Sequence, residues 1–234
     1  MKKILTIIPA RGGSKGIKNK NIKVLNGKPL IEYSLNFAKK IAHISDICVS
    51  TDSKIIRSII KKNSINFYGY RPKKLSGDSS LTVDVVKYEL QKFQKIFKTK
   101  YEYVLLLQPT CPIRNIKHLK KIISNVMSGK NNYDSGVSVK RIYANHPFRM
   151  KVFKKNCLKN FMGTKKEDMR PRQELPPVYI RSGSYYFIKT GVLKKNNSLV
   201  GNKCYGLILN DTYCSNIDNI DDFNLLQMKM KMKK

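Results

Sequence analysis

The stretch KILTIIPARGGSKGIKNKN, residues Lys3–Asn21, places a short apolar run directly before a glycine-rich, basic segment. An unbroken apolar run of this length is typical of a buried strand in a parallel sheet. The glycines expose backbone N–H groups that can converge on an anion, and Arg11, Lys15 and Lys20 add positive charge around them. The segment therefore predicts an anion site after the first strand, for which a triphosphate is a natural ligand.

The spacing of these glycines disfavours two common nucleotide motifs. It matches neither the G-x-x-x-x-G-K-[ST] of a P-loop nor the G-x-G-x-x-G of a dinucleotide-binding turn. An ATPase and a dinucleotide-dependent enzyme are both disfavoured for this reason. Taken alone, the segment also fits a basic surface turn in a lysine-rich protein.

Short apolar runs alternate with amphipathic segments along most of the chain. Strand candidates are KILTII (3–8), DICVST (46–51), INFYGY (65–70), YEYVLLLQPT (101–110), VYIRSGSYYFI (178–188) and CYGLIL (204–209). Helix candidates are PLIEYSLNFAKKIA (29–42), SKIIRSIIKK (53–62), Thr82–Phe97, NIKHLKKIISNVM (115–127) and DNIDDFNLLQMKM (218–230). The alternation predicts an α/β fold of three layers, α/β/α, with a mostly parallel, Rossmann-like sheet.

The chain is short enough for a single domain, since 234 residues fit one α/β unit, 1–234. Between about 143 and 177 the alternation gives way to polar, basic and proline-containing sequence, which predicts an insertion outside the main sheet. No apolar run approaches the ~18 residues that a membrane span needs, and the MKKILTII start lacks the core of a signal peptide. We expect a cytoplasmic protein without a membrane partner.

The cysteines do not indicate a metal or disulfide framework. Cys48, Cys111, Cys157, Cys204 and Cys214 are scattered, odd in number and without a C-x-x-C spacing. The three histidines show no metal-ligand spacing either. We interpret the cysteines as reduced thiols.

The net charge is the unusual feature of the composition. Lys and Arg number 47 against 15 Asp and Glu, which gives a formal charge of +32. Such a charge can indicate a nucleic-acid partner. However, the lysines are spread along the chain, and no helix-turn-helix, zinc-finger or aromatic-basic strand pattern accompanies them. Nucleic acid is therefore an unlikely partner, and the positive field would assist anionic small substrates.

Further segments follow the glycine-rich stretch in a characteristic order. They are STD (50–52), RPKKLSGDSSLT (71–82), LLLQPTCPIR (105–114), RPRQELPPVYIRSGSYYF (170–187) and NIDNIDDF (216–223). Over nearly the whole chain, their order and spacing resemble the acylneuraminate cytidylyltransferase family, the CMP-sialic-acid-type synthetases. The most specific pieces are ARGGSKGIKNKN and LQPTCPIR.

The resemblance implies one cytidylyltransferase domain with a fold of the nucleotide-diphospho-sugar transferase type. It implies transfer of CMP from CTP to the anomeric hydroxyl of a nonulosonic, sialic-acid-like sugar acid, with release of pyrophosphate. The GGSKG opening favours a nine-carbon acid over Kdo. The family further implies a homodimer with shared active sites, in which the insertion at 143–177 is the dimerisation element.

Positions that match the family's motifs carry implied roles. The catalytic positions are Arg11, Lys15, Lys20 and Asp218. The nucleotide-binding positions are Arg11, Gly12, Gly13, Ser14, Lys15, Asn21, Arg71 and Thr82. The sugar-binding positions are Gln108, Arg149, Arg172 and Tyr186, of which Arg172 is expected to reach the neighbouring subunit.

The chain departs from the family pattern in the metal motif. The family usually has D-I-D, with two carboxylates directed at Mg²⁺, whereas this chain has Asn216-Ile217-Asp218. Asp218 and Asn216 are therefore the candidate magnesium ligands, with one negative charge fewer. Elsewhere Cys111 replaces a serine, and an arginine that often precedes the N-G-A motif is displaced by one residue to Arg181.

Two alternatives to this function remain open at the level of sequence. One is a related nucleotidylyltransferase that acts on another acidic sugar or uses another nucleotide. The other is a basic nucleic-acid-binding protein on the same scaffold, since the +32 charge permits it. Pyrophosphate release from CTP would separate the enzymes from the binding protein.

Overall fold

The computed structural model describes residues 3–14, 16–163, 167–210 and 216–232. Its strands are β1 (Ile4–Pro9), β2 (Val24–Leu25), β3 (Lys28–Pro29), β4 (Ser45–Ser50), β5 (Tyr103–Leu106), β6 (Ser135–Ile142), β7 (Lys151–Lys154), β8 (Cys157–Asn160), β9 (Val178–Lys189) and β10 (Cys204–Ile208). Its α-helices are α1 (Leu30–Lys39), α2 (Lys54–Lys62), α3 (Thr82–Phe97), α4 (Ile116–Met127), α5 (Thr190–Asn196) and α6 (Ile220–Lys231). The alternation of strands and helices that the sequence predicts is present.

Six strands form the main sheet in the order β10-β6-β9-β5-β1-β4 within the described chain. All neighbouring strands are parallel except β9, which runs antiparallel to both β5 and β6. The carboxyl ends of the parallel strands therefore meet the beginning of β9 at one edge of the sheet. Open α/β sheets bind ligands at this edge. The predicted mostly parallel, Rossmann-like sheet is confirmed.

The sheet is covered on both faces, because residues of β1 alternate between two apolar layers. Ile4 and Ile8 pack with side chains of α1, α2 and α4, whereas Leu5 and Ile7 pack with side chains of α3 and α5. All four side chains are buried. A strand covered on both sides has no polar face, which explains the unbroken apolar run in the sequence.

The helix predicted for Thr82–Phe97 is confirmed with those bounds. The strand predicted for residues 65–70 is wrong, because these residues form neither strand nor helix. Their aromatic side chains pack instead on a helix and on each other, with the Tyr68 ring 4.9 Å from that of Phe93. Strand β6 was not among the predicted strands, since its SGVSVKRI sequence contains few large apolar side chains.

The connection from β6 to β9, residues 143–177, contributes no strand to the main sheet in its described part. It contains the antiparallel hairpin β7–β8. His146 links the beginning and the end of this connection, because its Nε2 lies 3.0 Å from the backbone oxygen of Pro176. Within the described residues, no helix is both long enough and apolar enough to cross a membrane.

Gly136 marks the closest approach of α4 to the sheet. A Cβ atom at this position would lie 2.7 Å from a methyl carbon of Ile122 and 3.0 Å from one of Val126. We expect Gly136→Ala to lower the free energy of unfolding by about 1–3 kcal/mol, the usual cost of overpacking. Urea denaturation monitored by circular dichroism measures the change.

The matched control is Gly191→Ala in α5, where a Cβ would meet no atom within 4 Å. Alanine is a better helix former than glycine, so this variant should be unchanged or slightly more stable. Equal denaturation midpoints for the two variants would contradict the close packing at Gly136.

Candidate active site

The glycine-rich loop after β1 is held by two neighbouring side chains. The Gly12 N–H donates to Oδ1 of Asp52 at 2.8 Å, and the amide of Asn21 donates to the Arg11 backbone oxygen at 2.9 Å. Nη2 of Arg11 lies 2.8 Å from a carboxylate oxygen of Asp78. The loop is thus fixed to the residues that follow β4 and to the segment before α3.

The same loop contacts the Asn216-Ile217-Asp218 motif. Lys20 donates through Nζ to the backbone oxygen of Ile217 at 2.8 Å. A Cβ on Gly16 would lie only 2.4 Å from the backbone oxygen of Asp218, so a side chain at this position would collide with the motif. Glycine is therefore required here by the close approach of two backbones.

A first cleft of about 240 Å³ opens beside this loop, at the carboxyl ends of β1 and β5. Five of the predicted site residues line it: Arg11, Asn21, Arg71, Thr82 and Gln108. The rest of its wall is formed by Pro9, Leu75, Gly77, Asp78, Ser80, Val85, Pro109 and Thr110. Four of the predicted nucleotide-binding residues, Arg11, Asn21, Arg71 and Thr82, therefore lie on the surface of one cleft.

Arg71 is buried in the wall of the first cleft. Its Nη2 donates to the Ser50 backbone oxygen at 3.1 Å and its Nη1 to that of Leu75 at 3.3 Å. Its Nε–H is buried without a hydrogen-bond partner among the described residues. Burial lowers the pKa of Arg71, and the negative charges of Asp52 and Glu89 oppose that shift. The guanidinium stays charged at neutral pH.

Glu89, on α3, is a buried carboxylate behind Arg71. It accepts a hydrogen bond from the Ser50 hydroxyl at 2.7 Å and pairs with the Lys92 ammonium at 2.7 Å. Burial, followed by the charge of Glu89, raises the pKa of the neighbouring Cys48 thiol. We did not predict a role for Glu89, although a carboxylate on the apolar face of a helix was a signal in the sequence.

Arg114 is a second residue whose role we did not predict, although it ends the LLLQPTCPIR motif. It donates through Nη2 to the backbone oxygen of Gln108 and through Nε to that of Ser184, at 2.5 and 3.1 Å. Its Nη1 donates to the Ser34 hydroxyl at 3.0 Å. Burial lowers the pKa of Arg114. The side chain joins the loop after β5 to β9 and α1.

The Asn216-Ile217-Asp218 motif is connected to β9 through Cys111. The thiol lies 3.2 Å from the backbone oxygen of Ser182 and 3.5 Å from Oδ1 of Asn216, to either of which it can donate. Asn216 in turn donates through Nδ2 to Oδ2 of Asp218 at 2.7 Å. Gly183 has φ +81°, and a Cβ there would lie 2.8 Å from the Cys111 sulfur. Burial raises the pKa of the Cys111 thiol.

Tyr186 lies on β9, opposite Leu106 of β5. It is buried, and burial raises the pKa of its hydroxyl, while the positive charge of Arg181 acts in the opposite direction. Arg181 stands on β9 opposite Val139, at the register shift between β6 and β9.

The other predicted site residues have different surroundings. Arg149 and Arg172 lie in the 143–177 connection, and they line neither the first cleft nor a second cleft that contains Asn216 and Asp218. Nη2 of Arg149 donates to the Arg170 backbone oxygen at 2.7 Å, and Arg172 is exposed. Gly13 and Ser14 lie in the described glycine-rich loop, whereas Lys15 lies outside the described residues.

The fold and the site together define an α/β nucleotidyltransferase, with a basic glycine-rich loop and an acidic motif at one edge of the sheet. A family model for cytidylyltransferases matches residues 5–198. The chain belongs to this cytidylyltransferase family. Its reaction is therefore transfer of a cytidylyl group from CTP.

Individual relatives agree with this assignment. The chain is 31% identical over 235 residues to the CMP-N,N'-diacetyllegionaminic acid synthase of Legionella pneumophila, covering 98% of this chain and 97% of the relative. It is 28% identical to the post-translational flagellin modification protein B of Campylobacter coli, covering 100% and 97%.

Solved structures agree on the fold. A CMP:2-keto-3-deoxy-manno-octonic acid synthetase complexed with CTP superposes with a TM-score of 0.69 at 14% identity. That comparison covers 100% of both chains. The α/β nucleotidyltransferase architecture is therefore shared over the whole length.

The buried position of Glu89 leads to a prediction. Glu89→Gln keeps the size of the side chain and an acceptor for Ser50, but it removes the negative charge between Lys92 and Arg71. We expect the free energy of unfolding to fall by about 3 kcal/mol, as when a buried ion pair loses one partner. Because Arg71 loses a supporting charge, KM for CTP should rise as well.

Glu102→Gln is the control, since Glu102 pairs with Lys3 at 3.0 Å on the surface. Exposed pairs contribute about 0–1 kcal/mol, so this variant should be nearly neutral. Chemical denaturation and steady-state kinetics measure both quantities. An unchanged KM for CTP in Glu89→Gln would show that Glu89 stabilises the fold without supporting the nucleotide site.

Proposed function

We propose that this cytidylyltransferase transfers CMP from CTP to the anomeric hydroxyl of a nonulosonic, nine-carbon sugar acid and releases pyrophosphate. The observation that carries the proposal is the first cleft, which gathers Arg11, Asn21, Arg71, Thr82 and Gln108 at one edge of the sheet. The printed name of the Legionella relative, a CMP-N,N'-diacetyllegionaminic acid synthase, supports the choice of sugar.

The proposed roles follow the position of each residue along the cleft. We assign Arg71 and Thr82 to the cytidine and Arg11 to the phosphates, and this assignment is supported by the fact that all three line the first cleft. Gln108 and Tyr186 belong to β5's exit and to β9, on the side where the sugar would enter. Catalysis of this kind is mainly positioning and neutralisation of phosphate charge, which these residue types provide.

The direct test is pyrophosphate release by the purified protein from CTP with single sugar acids. The panel contains N-acetylneuraminic, legionaminic, pseudaminic and eight-carbon Kdo acids. We expect release with at least one nine-carbon acid and little with Kdo. Release with Kdo alone would replace the proposed substrate class, and nucleic-acid retention without any release would favour the binding-protein alternative.

Because CTP is a cytoplasmic metabolite, we propose that the enzyme works in the cytoplasm.

We further propose Mg²⁺ as the cofactor, held by Asp218 together with the phosphates of CTP. The carboxylate of Asp218 is exposed, and the described residues contain no group of three His, Cys, Asp or Glu side chains that could hold a metal ion by themselves. Magnesium commonly takes one or two carboxylates plus substrate phosphates, so a single carboxylate fits this mode. The ion would supply neutralisation of phosphate charge.

Asn216→Asp tests the metal motif. The substitution would place a second carboxylate next to Asp218, where Asn216 now donates at 2.7 Å. Two adjacent carboxylates repel each other unless a cation lies between them, so the variant should reach half-maximal rate at a lower Mg²⁺ concentration. It should also lose stability when Mg²⁺ is removed, which thermal unfolding with and without EDTA measures.

Asp218→Asn is the complementary variant and should abolish most activity at any practical Mg²⁺ concentration. If Asn216→Asp leaves both the Mg²⁺ dependence and the EDTA sensitivity unchanged, residue 216 is not a metal ligand.

We also propose a homodimer that shares its active sites through the 143–177 connection. The described part of this connection exposes large apolar side chains, among them Phe153 and Leu158 on the β7–β8 hairpin, with 76% and 60% of their surface accessible. Exposed apolar side chains of this kind are typical of an interface. Arg149 and Arg172, away from the clefts of their own chain, would then serve the neighbouring one.

The shared site predicts complementation between two inactive variants. Arg11→Ala and Arg172→Ala chains should each be inactive alone. After unfolding and joint refolding, about half of the dimers contain one chain of each variant. In such a mixed dimer one site has both arginines and the other site has neither. About a quarter of wild-type activity should therefore return. Mass spectrometry of the intact dimers measures the fraction of mixed dimers. If mixed dimers form but are inactive, Arg172 does not belong to the partner's active site.

A further inference from the structure

An ion pair between Arg11 and Asp78 joins two walls of the first cleft. Arg11 belongs to the glycine-rich loop after β1, Asp78 lies in the segment before α3, and both residues line the cleft. Nη2 of Arg11 lies 2.8 Å from a carboxylate oxygen of Asp78. The arginine that we assign to the phosphates is therefore bound to a carboxylate inside the same cleft.

The side chain of Arg11 is long and only partly confined by its neighbours. Its exposed fraction is 28%, so packing alone does not fix the guanidinium. An arginine side chain has many rotamers, and a contact that holds it in one of them lowers the entropic cost of binding a ligand. The ion pair with Asp78 is a contact of this kind.

A second cation lies close to Arg11. Arg71 lines the same cleft and is buried. Burial is the main cause that lowers the pKa of Arg71, and the positive charge of Arg11 acts in the same direction. The two guanidinium groups therefore repel each other. A carboxylate paired with Arg11 offsets this repulsion and keeps Arg11 in the wall of the cleft.

Asp78 lies in a segment whose backbone is itself held in place. The Ser80 N–H donates to the Gly77 backbone oxygen at 3.2 Å and closes a turn that contains Asp78. Nη1 of Arg71 donates to the backbone oxygen of Leu75 at 3.3 Å, which binds the segment to the wall of the cleft. The carboxylate therefore has a stable support from which to hold Arg11.

We propose that Asp78 is a positioning residue for Arg11, because its carboxylate holds one part of the guanidinium and leaves other N–H groups for the phosphates of CTP. An arginine has five N–H donors in a planar fork, so it can bind a carboxylate and a phosphate at the same time. The proposal rests on the assignment of Arg11 to the phosphates, and it adds the residue through which that assignment becomes a defined geometry.

Asp78→Asn tests this role with a side chain of nearly the same size. Arg11 loses its charged partner, and we expect kcat to fall roughly tenfold to a hundredfold, as when a preorganised contact to the reacting groups is misplaced. Kd for CTP should stay within about threefold, since the substitution also removes a negative charge that repels the phosphates. Pyrophosphate release measures kcat, and isothermal titration of CTP measures Kd.

Asp84→Asn is the matched control. Asp84 lies in the first turn of α3 and does not line the first cleft, so the same substitution removes the same charge nearby without touching the ion pair. Its kcat should stay within about twofold of wild type. Thermal midpoints of both variants show whether either has lost the fold.

Rescue by free guanidinium ion tests the contact itself. Arg11→Ala removes the side chain but keeps the carboxylate of Asp78, which can bind a guanidinium ion from solution. Guanidinium chloride at tens of millimolar, well below the molar concentrations that unfold proteins, should restore part of the lost kcat. Arg11→Ala/Asp78→Asn should recover roughly fivefold less, whereas Arg11→Ala/Asp84→Asn should recover as fully as Arg11→Ala. Potassium chloride at the same concentration controls for ionic strength.

The outcomes separate this inference from the proposed function. Wild-type protein that releases no pyrophosphate with any sugar acid overturns the proposed function and this inference with it. Normal turnover by Arg11→Ala overturns the assignment of Arg11 to the phosphates. If Arg11→Ala is inactive, three results overturn only the role of Asp78: an unchanged kcat in Asp78→Asn, equal losses in Asp78→Asn and Asp84→Asn, or a recovery of Arg11→Ala with guanidinium that is no better than that of Arg11→Ala/Asp78→Asn.

Discussion

The buried guanidinium of Arg114 is the interaction on which the arrangement of the active site depends. It donates to the backbone oxygens of Gln108 and Ser184 and to the Ser34 hydroxyl, so one side chain fixes the exit of β5, the middle of β9 and the first helix. A buried charge is costly unless it is fully hydrogen-bonded, and truncating Arg114 would remove one donor from each of these three groups. These bonds hold Gln108 in the wall of the first cleft and Ser184 next to Gly183, whose φ is +81°.

The two ends of the chain complete one site. Lys20 binds the backbone oxygen of Ile217 across 197 residues of sequence, and Gly16 packs against the backbone of Asp218. The glycine-rich loop and the acidic motif are therefore each held in place by the other. A contact of this sequence separation carries an entropic cost of loop closure that local contacts do not, so it depends on the folded sheet between the two segments. A complete active site is for this reason a property of the whole fold.

The sequence was sufficient for the features that depend on local pattern. The helix Thr82–Phe97 and the α/β alternation follow from periodicity, and the structure confirms both. The strand prediction for residues 65–70 was wrong, because aromatic residues that pack on a helix give the same sequence pattern as aromatic residues in a strand. Glu89 and Arg114 have partners 39 and 70 or more positions away, and no periodicity records such contacts. The orientation of Arg181 into a cleft likewise depends on the register between β6 and β9.

The distribution of charge explains how a protein with a net charge of +32 can hold a selective site. Only 15 residues are acidic, and five of them stand in or directly behind the two clefts: Asp52, Asp78, Glu89, Asp218 and Asp222. Surface lysines create a field that attracts any anion and therefore raises encounter rates without choosing a ligand. Four of these carboxylates act differently, because each holds a nearby cation or backbone N–H group, as Asp52 does for Gly12, whereas Asp218 accepts from the side-chain amide of Asn216. Selectivity thus arises where the scarce negative charges hold the abundant positive ones in a defined geometry.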